Sequence, residues 1–97
     1  MSFNLIYTDR ANKDYFELED NPSKKTVLKQ VKKALEYLEI NPRHPSLNTH
    51  KHTGMSNMLG KEVFEAYAQN NTPGAYRIFF YYSGKNKITV LAITPHP

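Results

Sequence analysis

Residues 63–94 read VFEAYAQNNTPGAYRIFFYYSGKNKITVLAIT. Val63 to Ala68, Ala75 to Tyr82 and Lys87 to Thr94 are rich in aromatic and β-branched residues and keep a period of two. Asn71-Thr-Pro-Gly74 and Ser83-Gly84-Lys85-Asn86 separate them with turn formers. Three antiparallel strands in a meander are therefore expected. Alternation places Arg77, Phe79 and Tyr81 on one face and Tyr76, Ile78, Phe80 and Tyr82 on the other. If Tyr82 and Lys87 flank the second turn, Phe79 pairs with Val90 and Arg77 with Ala92. In that register Val90, Ala92 and Thr94 join the Arg77 face, and Leu91 and Ile93 join Ile78 and Phe80. A turn centred near Thr72 pairs Tyr67 with Arg77 and brings Glu65 and Val63 to the Arg77 face. His96 shares the parity of Ala92.

Upstream of the meander the period changes. Phe3, Leu5 and Tyr7 alternate with polar neighbours as in a half-buried strand, and Thr8 and Asp9 offer oxygens suited to capping a helix. Ala11, Tyr15 and Leu18 give a first helix one apolar stripe, and Asn21-Pro22 stops it. Ser23 is the expected cap of a second helix, Lys24 to about Ile40. Its stripe is Val27, Val31, Ala34, Leu35 and Leu38; Lys25, Lys29, Lys32, Lys33 and Glu36 take the other side. So short a link predicts an antiparallel helical hairpin, which should cover the Ile78 and Phe80 face. Residues 41–61 hold prolines, glycines and histidines without a sustained period, and predict a long ordered loop of the kind that often carries function. The fold class is α+β: an N-terminal strand, two helices, then the meander, in a single domain over residues 1–97.

Composition narrows the chemistry. The chain has 97 residues and no cysteine, which excludes disulfides, thiolate metal sites and a cysteine nucleophile. No apolar run approaches the roughly 18 residues of a membrane span, and no apolar signal stretch opens the chain, so no membrane contact and a cytoplasmic location are expected. The net charge of +4 is unevenly spread: residues 1–20 carry −3, residues 21–61 carry +6, and the rest carry +1. A regional basic surface favours a polyanionic partner.

One guanidinium with a carboxylate, phenols and an imidazole on the sheet face away from the helices suits phosphodiester chemistry. Metal-free RNA cleavage needs an acceptor for the 2′-hydroxyl proton, a cation for the phosphorane and a donor for the departing 5′-oxygen. Arg77 fits the second task, because its forked donors match phosphate oxygens and one such donor is worth on the order of 10² to 10³ in rate. Glu65 or His96 fits the proton transfers.

The element order, the run Ala75-Tyr-Arg-Ile-Phe-Phe-Tyr81 and the ending Ile88-Thr-Val-Leu-Ala-Ile-Thr94 resemble the RelE/ParE toxin superfamily. Asn41-Pro-Arg-His-Pro-Ser-Leu47 and Asn71-Thr-Pro-Gly-Ala-Tyr-Arg-Ile-Phe79 are similar to a compact RelE-like subgroup. The resemblance implies the toxin of a type II toxin–antitoxin system, partnered by a cognate antitoxin. RelE members cleave mRNA on the ribosome without a cofactor, whereas ParE members poison DNA gyrase. Carried over by position, the family's arginine on the second meander strand matches Arg77, the glutamate of its first meander strand Glu65, and its basic or histidine position after the last strand His96. Many relatives follow that glutamate with Leu-Arg; here Ala66-Tyr67 stand there, and Lys51 and Lys61 are candidates to replace the missing charge.

Each of these residues also has a plainer explanation. Glu65 and Arg77 form an ordinary cross-strand ion pair as easily as an active site. Tyr67, Phe79 and Tyr81 serve either as packing residues or as stacking platforms for unpaired RNA bases. Lys29 and Lys33 are either solvated or in contact with rRNA or an acidic antitoxin segment. His44, His50 and His52 lack the carboxylate or thiol company of a metal site, and none is expected. The rival to the ribonuclease is a non-catalytic binding protein, either a gyrase inhibitor or a degenerate toxin that only binds its antitoxin.

Overall fold

The computed structural model describes residues 2–96 and contains eight main elements. They are β1 (Asn4–Tyr7), α1 (Asp9–Glu19), α2 (Lys25–Ile40), β2 (His50–Lys51), α3 (Thr53–Leu59), β3 (Phe64–Tyr67), β4 (Tyr76–Gly84) and β5 (Lys87–Pro95). The strands form one sheet in the order β1-β5-β4-β3-β2, with β1 parallel to β5 and the remaining pairs antiparallel. No described helix is long and apolar enough to cross a membrane.

The expected α+β order holds, and α1 and α2 pack on the Ile78 and Phe80 face. Val31, Ala34, Leu35 and Leu38 of α2 meet Ala66, Ile78, Phe80, Ile88, Val90 and Ile93 in one buried cluster. Each fully buried Leu, Ile or Phe there contributes roughly 1.5–3 kcal/mol. Thr8 caps α1 as expected, its Oγ1 accepting from the Ala11 amide at 3.1 Å. The same hydroxyl donates to the Leu91 carbonyl at 2.9 Å, and Asp14 accepts from the Ile93 amide at 2.9 Å. The cause lies in strand length. β1 stops at Tyr7, opposite Val90, so the outer edge of β5 beyond that point needs other partners. The start of α1 supplies them.

The structure corrects three sequence expectations. The β4–β5 register is not the one the turn implied: Phe80 pairs with Val90, Phe79 with Ala92 and Arg77 with Thr94. A bulge between Phe79 and Phe80 leaves Leu91 as the extra residue, and a bulge re-aims every side chain beyond it. A second irregularity, between Tyr82 and Gly84, sets Val90 opposite Phe80 in the helix-covered core rather than beside Arg77, and the extra residue Leu91 keeps Ala92 and Thr94 on the Arg77 face. Secondly, Ser23 is not the cap. Asn21 accepts from the Ser23 amide at 3.0 Å and opens a short 3₁₀ turn, Pro22–Lys24, that runs straight into α2.

Thirdly, residues 41–61 are not a plain loop. They form a 3₁₀ turn at Pro45–Leu47, the edge strand β2 and the helix α3. Imidazoles do the capping: His44 Nδ1 accepts from the Ser46 amide and His52 Nδ1 from the Met55 amide, each at 3.1 Å. Helix-start patterns look for Ser, Thr, Asp or Asn, so these starts were hidden. Gly60 ends α3 with φ near 69°, a conformation that suits glycine. Leu47 is fully buried, and Ser56 ties α3 to Val63 by accepting from its amide at 2.8 Å.

Candidate active site

The expected pairing of Tyr67 with Arg77 is present, and β2 adds His50 opposite Glu65. Two rows thus cross the sheet face away from α1 and α2: His50, Glu65, Phe79 and Ala92, then Tyr67, Arg77 and Thr94. Between them lies a continuous polar chain. Arg77 Nε stands 3.3 Å from Glu65 Oε2, and Glu65 Oε1 stands 3.1 Å from His50 Nε2. His50 Nδ1 lies 2.9 Å from the Asn48 carbonyl. Asn48 is left-handed, with φ 46°, at the end of the 3₁₀ turn; asparagine tolerates that conformation.

Arg77 is expected to stand open to a nucleic-acid strand, and here the structure differs. The residue is 8% exposed and Glu65 is 7% exposed. The guanidinium lies against the Tyr67 ring, with Cζ 3.6 Å from the centroid, and Nη1 donates to the Gln69 carbonyl. Nε is fully buried and makes no hydrogen bond. The 3.3 Å approach to Glu65 is therefore a Coulombic contact of poor hydrogen-bond alignment. Removing an ion from water costs several kcal/mol even after relaxation, so the carboxylate and the ring face are what make this arginine tolerable.

His96 follows β5 and is exposed, its amide donating to the Ala75 carbonyl at 2.7 Å. That bond places it at the end of the sheet where Thr94 pairs with Arg77. The residues expected to contact RNA are distributed unevenly. Tyr67 gives one ring face to Arg77, and the His50 ring meets it edge-on at 5.7 Å, so it is largely a support for the cation. Phe79 is half-buried with the His52 ring against its edge, at 5.4 Å. Tyr81 carries Lys61 Nζ over its ring at 4.3 Å. Lys51 Nζ reaches Glu62 at 3.8 Å. Lys29 lies on the outer side of α2, in a shallow groove with Leu28, Lys32, Tyr37 and Ile40, across the sheet from Arg77. Lys33 borders that groove and also a cleft that it shares with Gln30, Tyr67 and Ala68.

Two members of the site escape a sequence reading. His50 sits in a segment that looked aperiodic, although Asn48-Thr-His-Lys-His52 does alternate as an edge strand would. Gln69 contributes through its carbonyl to Arg77 and through its side chain, which accepts from the Tyr76 amide at 3.1 Å and donates to Gln30 at 2.7 Å; no sequence pattern marks it. His44 and His52, committed to capping, do not converge with His50 on a common point.

No protein-family profile matches the sequence, and no curated protein does. Solved structures do match. A YoeB/ParE toxin from Agrobacterium tumefaciens superposes with a TM-score of 0.74 over 98% of this chain and all of its own, at 11% identity. YoeB from Staphylococcus aureus, solved as a dimer, superposes at 0.67 over both full chains, at 17% identity. The same S. aureus toxin in its heterotetrameric complex with YefM gives 0.65, again at 17% identity over both full chains. With sequence this divergent, the likeness establishes architecture alone: the chain has the fold of the YoeB/ParE toxins.

Proposed function

We propose that this protein is the toxin of a type II toxin–antitoxin pair and acts as a metal-independent endoribonuclease on mRNA at the ribosome. The observation that carries this reading is the Arg77–Glu65 ion pair on the sheet face that α1 and α2 leave uncovered. Arg77 supplies the positive charge for the phosphorane, and Glu65 or His96 moves protons. Lys51, Lys61 and Lys33 edge that face with positive charge, and Tyr81 and Phe79 offer ring surface to unstacked bases. No cofactor enters this chemistry. The partner is a cognate antitoxin, as YefM is for S. aureus YoeB, and the compartment is the cytoplasm.

Inducible expression with primer extension on a reporter transcript tests the reading. New 5′ ends should appear with the wild type and vanish with Arg77→Lys, a variant that keeps the charge beside Glu65 but loses the planar fork. Intact message at high toxin concentration would refute it.

A second reading has its own support. Arg77 has Nε and Nη1 turned to protein groups, and Ala66-Tyr67 stand where relatives carry a second arginine. Both favour a binding protein without catalysis, either a ParE-like gyrase inhibitor or a degenerate toxin that retains only its antitoxin. Blocked replication with intact mRNA identifies the first, and unaffected growth with tight antitoxin binding the second.

A further inference from the structure

His50 has an acceptor at each ring nitrogen. Nδ1 faces the Asn48 carbonyl at 2.9 Å and Nε2 faces Glu65 Oε1 at 3.1 Å. A neutral imidazole has one N–H and one lone pair, so one of these contacts would set lone pair against lone pair. An imidazolium satisfies both. The neighbouring histidines have the opposite requirement. His44 and His52 each accept a backbone N–H at Nδ1, which demands a lone pair there. Nδ1 thus faces a donor in His44 and His52 and an acceptor in His50.

The charges around His50 agree with a cationic ring. From β3 it faces Glu65 and, edge-on, Tyr67; from β4, Arg77 lies behind Glu65. On its own strand, Lys51 turns its ammonium to Glu62 at 3.8 Å. The His50 side chain is 46% exposed, against about a tenth for Glu65 and Arg77. It is the member of the polar chain that a substrate can reach.

We propose that His50 stands in the site as an imidazolium and is the proton donor to the departing 5′-oxygen, a role that rests on the ribonuclease reading above. The 2′-oxygen bonds to phosphorus as the bond from phosphorus to the 5′-oxygen breaks. His96 takes the 2′-hydroxyl proton, and the 5′-oxygen replaces Glu65 Oε1 as acceptor of the His50 Nε2 proton. The products are a 2′,3′-cyclic phosphate and a 5′-hydroxyl. The Asn48 carbonyl, which keeps the Nδ1 proton, orients the ring during the transfer, and Glu65 is a positioning residue that holds the imidazolium in place until the substrate arrives.

Two measurements on the full chain test the proposal. In ¹⁵N-labelled protein, long-range nitrogen–proton correlation at neutral pH should show both His50 nitrogens protonated, and Glu65→Gln should return the ring to a neutral tautomer. A neutral His50 in the wild type overturns the proposal. In cleavage assays, His50→Ala and His50→Gln, each checked for native circular dichroism, should lose on the order of 10²- to 10⁴-fold on ordinary RNA. RNA with sulfur at the bridging 5′ position has a leaving group that needs no proton, so His50→Ala should cut it close to the wild-type rate. Equal losses on both substrates would mark a merely structural histidine, and undiminished cutting of ordinary RNA by His50→Ala would exclude the donor role. Wild-type protein that leaves both substrates intact overturns the ribonuclease reading and, with it, the donor role, while the protonation result stands separately.

Discussion

Removing the guanidinium of Arg77 should cost far more stability than a surface charge does, because its partner is stranded. Arg77→Ala leaves the Glu65 carboxylate, 7% exposed, without the guanidinium beside it. It also removes the stack on Tyr67, worth about 2 kcal/mol when desolvated, and a charged hydrogen bond to the Gln69 carbonyl, worth about 1.5–3 kcal/mol. These contributions overlap, and breaking a buried ion pair from one side costs about 3–5 kcal/mol in total. A domain of this size has roughly 5–15 kcal/mol of stability, so Arg77→Ala approaches the point of unfolding. Glu65→Ala should cost a similar amount. The double variant Arg77→Ala/Glu65→Ala, with no stranded charge, should lose at least about 1 kcal/mol less than the two singles together, within the range for directly interacting residues. Urea denaturation of the four proteins completes the cycle. Singles that cost under about 1 kcal/mol each and add without coupling would refute the claim that the pair holds this face together. Arg77→Lys, and not Arg77→Ala, is therefore the variant for the primer-extension assay: loss of activity in an unfolded protein says nothing about chemistry.

Asp14→Ala should destabilise by about 1–3 kcal/mol in urea denaturation, because the Ile93 amide on the unpaired edge of β5 loses its acceptor; Asp14→Asn, which keeps an acceptor, should recover most of that. His52→Ala should remove the cap of α3, costing on the order of 1 kcal/mol and raising amide exchange over residues 53–59 while α2 stays protected. Tyr7 has its phenol raised above the ordinary value of about 10, first by burial and then by Glu39 and Tyr15. A raised acid favours its neutral form in the fold, so the stabilisation is whole below pH ~10 and is lost as pH climbs through the folded value. Tyr7→Phe should flatten that alkaline fall in denaturation midpoints measured from neutral pH upward, and an unchanged slope would exclude Tyr7 as its source.

The strong periodicities of the chain were legible because they are cumulative: five apolar positions define α2, and β3, β4 and β5 each alternate over several residues. From these the α+β class, the helix-covered face, and the meeting of Glu65 with Arg77 all follow. What was not legible depends on single residues. Two irregularities, between Tyr82 and Gly84 and at Leu91, set the register that puts Val90 in the core and Ala92 on the Arg77 face, yet nothing in Val90-Leu-Ala-Ile93 marks a bulge rather than a regular strand. β1 offers only four residues, and its place beside β5 rests on a parallel pairing between the two ends of the chain. The burial of Arg77 was equally hidden, since it depends on a backbone carbonyl at Gln69 and on the orientation of the Tyr67 ring.

Tyr67 links the two functional readings. An arginine in place of Tyr67 would repel Arg77 and would hold both cations toward solvent and phosphate. Here a neutral ring lies 3.6 Å from the Arg77 carbon and shields it, while Glu65 neutralises it from the other side. The polar group that remains accessible beside the buried pair is His50 in the adjoining row, brought in by β2, a strand of two residues that a straightforward loop would not provide. Tyr67 and the ordering of residues 41–61 thus work in the same direction: the guanidinium is held inward and an imidazole stands at the surface. Tyr67→Arg tests this coupling directly. If the ring is what keeps Arg77 inside, the variant should raise the affinity of the protein for RNA with a steeper salt dependence and lower its stability through like-charge repulsion; affinity and stability both unchanged would mean that Arg77 is held by Glu65 alone.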